Sequence, residues 1–277
     1  MSPPWRLAVF ILASVTGVLA LRAVHSVFAQ WIPVGARELS FVLVMTGGLL
    51  IGHAWTFQLV DRRGWSFVGL GRDAWRPGRI AWGALVGSLA IALPVAVLLA
   101  LGWLDFVPAA EGSSLGSAVG SLIILIPAAF WEELFVRGYG FSVIRERLGP
   151  LAAIVITSQV FGWMHYLNQG ASIRAVVVVC LAGLFLGLIR EATRSLYTAW
   201  AAHLAWNVVL VVFLHATVSG IAMASPDFRL IDSGPDWATG GAWGPEGGYF
   251  AAAGITAAIW YVYRRSTRHR TAGDPRA

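Results

Sequence analysis

The chain has 277 residues, of which 57% are apolar and only 12% are charged, and its formal net charge is +6. A soluble globular domain carries about a quarter charged residues, so this composition excludes an ordinary soluble domain and is typical of a polytopic membrane protein. The 20 cations are all arginine and lie mainly in short loops between apolar runs, so the positive charge does not indicate a nucleic-acid partner. The expected surroundings are a lipid bilayer.

Eight apolar runs follow one another along the chain, most of them near the roughly 20 residues that a helix needs to cross a bilayer. They cover residues 7–29, 38–60, 80–102, 117–138, 150–167, 173–190, 195–215 and 248–263, and the fifth and the eighth are short. The sequence therefore predicts an all-α fold, a polytopic bundle of transmembrane helices with eight spans.

The first apolar run has two interpretations. It ends in Val27-Phe28-Ala29, which resembles a signal-peptide cleavage site. Because Arg22 and His25 interrupt the run late and the run is long, we interpret it as a retained span.

The arginines predict the orientation of the bundle. They concentrate in the 61–79 loop, after the fourth run, before the seventh run and after the eighth run, and arginine-rich loops face the cytoplasm. The alternate loops, 103–116 and 216–247, carry mainly carboxylates, including Asp105 and Glu111. Eight spans then place both termini in the cytoplasm. The use of arginine as the only cationic residue is typical of a GC-rich genome and indicates a bacterium. The expected location is therefore the inner (plasma) membrane.

Three clusters of polar residues interrupt the apolar runs. The segment AFWEELFVRGY holds Glu132, Glu133 and Arg137, FGWMH ends in His165, and HLAWN begins with His203 and ends with Asn207. A charge at membrane depth costs a few kcal/mol or more, so such residues are usually paired and functional. Residues four apart share a helix face, so Glu133 and Arg137 can neutralise each other, and Glu132 is left free.

The three clusters can lie at one depth. If the fourth and fifth runs form a hairpin that turns at Gly149-Pro150, Glu132 and His165 each lie roughly 25 Å from the turn at 1.5 Å per residue. His203 lies about 13 Å from the cytoplasmic edge of the seventh run by the same measure. The sequence therefore allows all three clusters to converge in the inner half of the bilayer, so we expect an active site inside the membrane.

The order EExxxR, FxxxH and HxxxN on successive apolar helices resembles the CAAX-protease and bacteriocin-processing family of intramembrane endopeptidases. The residues that carry the resemblance are Glu132, Glu133, Arg137, Phe161, His165, His203 and Asn207. The resemblance covers residues 117–210. It divides the chain into N-terminal spans with an interfacial loop (1–116), a catalytic helical core (117–215) and an external loop with the last span and a basic tail (216–277).

The resemblance implies the chemistry. Glu132 and His165 would hold and deprotonate a water molecule, and His203 and Asn207 would donate hydrogen bonds to the tetrahedral oxyanion. Glu133, Arg137 and Phe161 would be structural support. The expected activity is hydrolysis of a peptide bond in a membrane-associated or lipidated peptide or protein substrate near the cytoplasmic face.

The need for a metal is left open. Glu132, His165 and His203 could bind Zn²⁺ with water in the fourth position, as in metalloendopeptidases. The sequence contains no HExxH, so we expect a glutamate-type mechanism that requires no cofactor. No Ser/His/Asp set is apparent and the lone cysteine, Cys180, has no polar neighbour in sequence, which argues against serine and cysteine mechanisms.

Two other classes of function stay open. One is a non-enzymatic membrane protein of the same fold, with a bacteriocin-immunity or scaffold role, and the other is a small transporter. The four intact catalytic-type residues favour an enzyme, and the sequence shows no repeat symmetry of a transporter. His25, His53 and His215 match no motif, and the loop TGGAWGPEGGYF is expected to be structural turn material.

Overall fold

The computed structural model describes residues 3–109, 114–223 and 227–271, so Glu111 lies outside the described residues. Within these ranges the chain forms ten α-helices joined by short connections and one small sheet. The helices are α1 (Pro3–Phe28), α2 (Arg37–Thr56), α3 (Pro77–Ala100), α4 (Ser114–Arg137), α5 (Tyr139–Leu148), α6 (Pro150–Met164), α7 (Ile173–Thr193), α8 (Leu196–Val208), α9 (Asp236–Thr239) and α10 (Tyr249–Thr271). The predicted all-α helix bundle is confirmed.

Six helical stretches of the described chain are long and apolar enough to cross a membrane. They are Pro4–Trp31, Arg37–Asp61, Pro77–Ala100, Leu115–Leu148, Ile173–Thr193 and Leu196–Phe213. The other two predicted spans correspond to α6, which has 15 residues, and to α10, whose last part carries Arg264, Arg265 and Arg268. A helix of 15 residues, such as α6, extends about 22 Å, whereas the hydrocarbon core of a bilayer is about 30 Å thick. The eight-span topology and the cytoplasmic termini stay predictions.

The chain breaks directly after the first polar cluster. α4 ends at Arg137 and α5 begins at Tyr139, with Gly138 between them. The ring of His53 stabilises this break, because its Nδ1 donates to the Leu49 carbonyl (2.8 Å) and its Nε2 accepts from the Tyr139 amide (3.3 Å). His53 is fully buried. It therefore satisfies a backbone donor that the end of a helix leaves without a partner.

The predicted turn at Gly149-Pro150 is present, but it joins the short helix α5 to α6. It was expected to join the fourth and fifth runs directly, but α5 (Tyr139–Leu148) lies between the end of α4 at Arg137 and the turn. Gly149 has φ +86°, a left-handed backbone that favours glycine, and Pro150 begins α6. The arm before the turn, α5, is thus shorter than the depth estimate assumed, whereas the arm after it, α6, has 15 residues and ends just before His165.

Small residues bring the helices that carry the second and third clusters into backbone contact with their neighbours. A Cβ at Gly87 of α3 would collide with the carbonyl of Ala202 on α8. A Cβ at Gly162 of α6 would collide with the sulfur of Cys180 on α7. Small residues at crossings are the usual means of close helix packing in membranes. The helix positions around the second and third clusters therefore depend on these glycines.

The connection between α8 and α10 folds over one end of the bundle. Strand β1 (Leu104–Pro108) pairs antiparallel with β2 (Phe228–Asp232), in a register that places Leu104 opposite Asp232. Beyond β2 the chain returns to α10 through short helical turns that bury Trp243 completely and leave Glu246 only 7% exposed. This connection was expected to be turn material, yet it contributes side chains to the core.

Candidate active site

The three polar clusters meet inside the bundle. Glu132 lies near the end of α4, His165 follows the last residue of α6, and His203 lies on α8. The Oε2 atom of Glu132 is 3.7 Å from Nε2 of His165 and 3.8 Å from Nε2 of His203. The predicted convergence is therefore present, although the hairpin that was used to predict it has a different geometry.

The hydrogen bonds of the two histidines determine which ring nitrogen of each faces Glu132. Nδ1 of His165 lies 2.8 Å from the Phe161 carbonyl oxygen, and Nδ1 of His203 lies 3.1 Å from Oε1 of Glu133. Because both of these oxygens accept, each Nδ1 carries a hydrogen and each Nε2 is directed toward Glu132. Oε2 of Glu132 is buried and makes no hydrogen bond within the described part of the chain. Oε2 of Glu133 also makes no hydrogen bond there, so what distinguishes Glu132 is that two imidazole nitrogens lie within 4 Å of its oxygen.

Glu133 and Arg137 form the predicted ion pair. Both side chains are fully buried, and Nη1 of Arg137 donates to Oε1 of Glu133 over 2.9 Å. Nη2 of Arg137 donates to the carbonyl of Gly183 on α7, at 3.1 Å. The same Glu133 oxygen accepts from His203. The pair therefore does more than neutralise charge, because it also orients a histidine of the site and ties α4 to α7 and α8.

Phe161 lies between the ion pair and the histidines. Its ring centroid is 4.3 Å from the guanidinium carbon of Arg137. The rings of His165 and His203 approach it edgewise, with centroid distances of 4.9 and 5.7 Å. Such cation–π and edge-to-face contacts are favourable in a desolvated site. The aromatic residue of FxxxH thus contacts both imidazoles and the guanidinium of the ion pair.

A pocket of about 480 Å³ adjoins the histidines, and Asn207 lines it together with His165 and His203. Its other walls are mostly apolar and come from α7, α8 and α10, with Val178, Val179, Ala182, Phe185, Leu186, Ala202 and Ile255 among the lining residues. The helix hydrogen-bonding pattern changes just after Asn207, where α8 continues as a π-helix (Val209–Phe213). Such π segments are frequent at functional sites.

Two groups of residues near the site belong to no sequence motif. His53 supports the break after Arg137, and Ser219 and Glu246 line the pocket although they lie outside every motif. No spacing rule points to them, since they belong to distant segments. A single carboxylate within a glycine-rich loop next to an apolar span was the only available signal for Glu246.

The proposed metal ligands Glu132, His165 and His203 are close together, but they do not form a metal site as arranged. Over the ranges that the structure describes, no group of three or more His, Cys, Asp and Glu side chains could hold a metal ion. Whether the protein needs a metal stays a prediction.

The buried ion pair predicts that variants of Glu133 or Arg137 lose much more stability than a variant of an exposed ion pair. Changing Glu133 to Gln or Arg137 to Met leaves one buried charge without its partner, which typically costs about 3–5 kcal/mol. We expect a strong fall in membrane abundance and in the thermal unfolding midpoint in detergent. Arg63→Gln is the matched control, because Arg63 and Glu146 form an exposed pair with side chains 43% and 39% accessible, worth about 0–1 kcal/mol.

Equal stability of the Arg137→Met and Arg63→Gln proteins would contradict the structural role of the pair. A Glu133→Gln protein that accumulates normally but is inactive would assign Glu133 to the chemistry instead.

Comparison with known proteins agrees with this site. Residues 114–209, about a third of the chain, match the family model described as Rce1-like, type II CAAX prenyl endopeptidase. The matched segment runs from α4 to α8 and contains all seven motif residues. No curated protein and no solved structure matches the chain. Residues 114–209 of this integral membrane protein are thus similar to the Rce1-like family of CAAX-type proteases.

Proposed function

We propose that the protein is an intramembrane endopeptidase that hydrolyses a peptide bond of a membrane-associated or lipidated substrate. The observation that carries this proposal is the convergence of one unpaired carboxylate oxygen of Glu132 with the Nε2 atoms of His165 and His203 beside a pocket. An activated water and donors for an oxyanion are what peptide hydrolysis needs.

Glu132 is the general base in this proposal. Its distance to His165 Nε2 is 3.7 Å, which is too long for a direct hydrogen bond and suits two groups that share a water. The water oxygen attacks the peptide carbonyl carbon while its proton passes to Glu132. The same proton then passes from Glu132 to the leaving nitrogen as the C–N bond breaks. His165 holds the water, since Phe161 fixes the orientation of its ring.

Asn207 and His203 stabilise the oxyanion. Both line the pocket, and the amide of Asn207 makes no hydrogen bond within the described part of the chain, so it is free to donate to a substrate oxygen. His203 can donate from Nε2 when its ring is doubly protonated, and the Glu133 carboxylate on Nδ1 is then its counter-ion. Preorganised donors of this kind often provide the largest single contribution to acyl-transfer catalysis.

The position of the site supports cleavage near the cytoplasmic face. Four arginines lie where α5, α7 and α8 end or begin, namely Arg145, Arg147, Arg190 and Arg194. His203 is only two helical turns from the start of α8 at Leu196, on the same side of the bundle. If arginine-rich ends face the cytoplasm, the site lies in the inner half of the membrane. A membrane-associated or lipidated peptide or protein is the proposed substrate, in a bacterial inner membrane with both termini of the protein in the cytoplasm.

The base assignment predicts that Glu132→Gln and His165→Ala each abolish proteolysis in a protein that still inserts. Loss of a general base typically costs about 10² to 10⁴ in rate. Proteomics of membranes carrying wild type or Glu132→Gln should show a peptide that is cleaved only with wild type. Glu38→Gln and His25→Ala are the controls and should cleave normally. These residues lie near the start of α2 and the end of α1, whereas the other end of α2 carries His53 beside the break after Arg137. Identical proteomes for wild type and Glu132→Gln would instead favour the non-enzymatic alternative.

The oxyanion assignment predicts that Asn207→Ala lowers kcat by about 10² to 10³ with a smaller effect on KM. The measurement uses a quenched reporter peptide built on the cleaved sequence that proteomics identifies. Asn207→Asp keeps the side-chain volume but replaces the donor by an acceptor, so it should be at least as slow as the alanine variant. An active Asn207→Asp protein would exclude Asn207 as the donor.

The metal-free mechanism predicts that purified active protein contains no stoichiometric zinc and that a chelator leaves its activity unchanged. Elemental analysis and the reporter assay with and without chelator make the measurement. Stoichiometric zinc whose removal reversibly stops cleavage would overturn the metal-free mechanism and make Glu132, His165 and His203 the ligands.

A further inference from the structure

Glu246 is a buried carboxylate that the motifs do not include. It lies just before α10, outside residues 114–209, and is 7% exposed. Its Oε2 accepts from the indole Nε1 of Trp206 (2.7 Å), and its Oε1 accepts from the amide (2.6 Å) and the hydroxyl (2.8 Å) of Ser219. Three donors thus hold the carboxylate on the wall of the pocket that His165, His203 and Asn207 also line.

The hydrogen bond from Trp206 to Glu246 holds the turn of α8 that carries Asn207, the proposed oxyanion donor. Trp206 precedes Asn207, and the regular α-helix ends at Val208, after which the chain continues as a π-helix. Asn207 has no hydrogen bond of its own that would set its position within the described chain. The last regular turn of α8 is therefore held from outside the helix by the indole and Glu246.

The hydrogen bonds from Ser219 to Glu246 connect Glu246 to the segment that follows His165. Ser219 has φ +49°, an uncommon conformation for a residue other than glycine that is retained when surrounding contacts impose it. The Ser219 carbonyl accepts from the side chain of Asn168 (3.0 Å), and the Asn168 amide donates to the His165 carbonyl (3.1 Å). One carboxylate is thereby connected to both sides of the site.

We propose that Glu246 is a positioning residue for peptide hydrolysis, which acts by holding Trp206, and so Asn207, at the wall of the pocket. This inference rests on the proposed function. Glutamine cannot replace the carboxylate, because two separate donor groups face its two oxygens and an amide provides only one acceptor. Phenylalanine at position 206 removes the indole donor and keeps an aromatic ring.

The positioning claim is first tested without any substrate, by hydrogen–deuterium exchange of the purified full-length protein. Glu246→Gln and Trp206→Phe should each speed the exchange of the amides of residues 203–213 relative to wild type. Asp105→Asn is the control, because Asp105 is an exposed carboxylate at the same end of the bundle. Unchanged exchange in both variants would overturn the proposal whether or not the protein is a protease.

The catalytic consequence is tested with the reporter peptide. A small misplacement of a catalytic group can cost up to about 10²-fold, so we expect kcat to fall by about 10- to 100-fold in Glu246→Gln and Trp206→Phe, with KM nearly unchanged. In the Asn207→Ala background, Glu246→Gln should have no further effect, because residues that act as a unit are not additive.

Two kinetic outcomes would overturn the proposal. Additive losses in the double variant would show that Glu246 acts independently of Asn207, and unchanged kcat with lower stability would show a purely structural role; both overturn the proposal. If Glu246→Gln does not accumulate, Trp206→Phe alone decides. If wild type and Glu132→Gln cleave nothing, the proposed function fails, and the exchange experiment still decides the positioning claim.

Discussion

The buried ion pair between Glu133 and Arg137 is the interaction on which the site depends. Two fully buried charges at membrane depth are costly unless they neutralise each other and make further favourable contacts. Those contacts come from three other helices, since Arg137 reaches the Gly183 carbonyl and the ring of Phe161, and Glu133 reaches His203. Oε2 of Glu133 and Nε of Arg137 have no hydrogen-bond partner within the described residues. The pair therefore joins α4, α6, α7 and α8 at the level of the proposed chemistry.

This pairing explains why one of two adjacent glutamates is available for chemistry. Arg137 bonds to Glu133, and the helix rotation between neighbouring residues turns Glu132 toward the two histidines instead. A carboxylate that was itself paired with an arginine would be a poor proton acceptor. Separating the ion-paired carboxylate from the proposed general base thus needs only two consecutive positions on one helix.

The family motifs account for one side of the pocket, and segments outside them account for the rest. Ser219, Glu246 and Ile255 line it, and they lie beyond the matched segment. The walls from α7 and α10 are largely apolar, which suits a substrate that is itself in the membrane. The part of the pocket wall that lies beyond the matched segment therefore comes from the connection between α8 and α10 and from α10 itself.

The sequence by itself determined the helix bundle and the seven motif residues, because long apolar runs and i, i+4 spacing depend only on local chain geometry. The Glu133–Arg137 pair and the shared face of His203 and Asn207 follow from that spacing. Only the tertiary structure decided that His53 accepts from the Tyr139 amide at the break between α4 and α5, and that Glu246 bonds to Trp206. Those partners are 86 and 40 residues apart, and contacts between distant segments depend on helix crossings that leave no periodic pattern in the sequence.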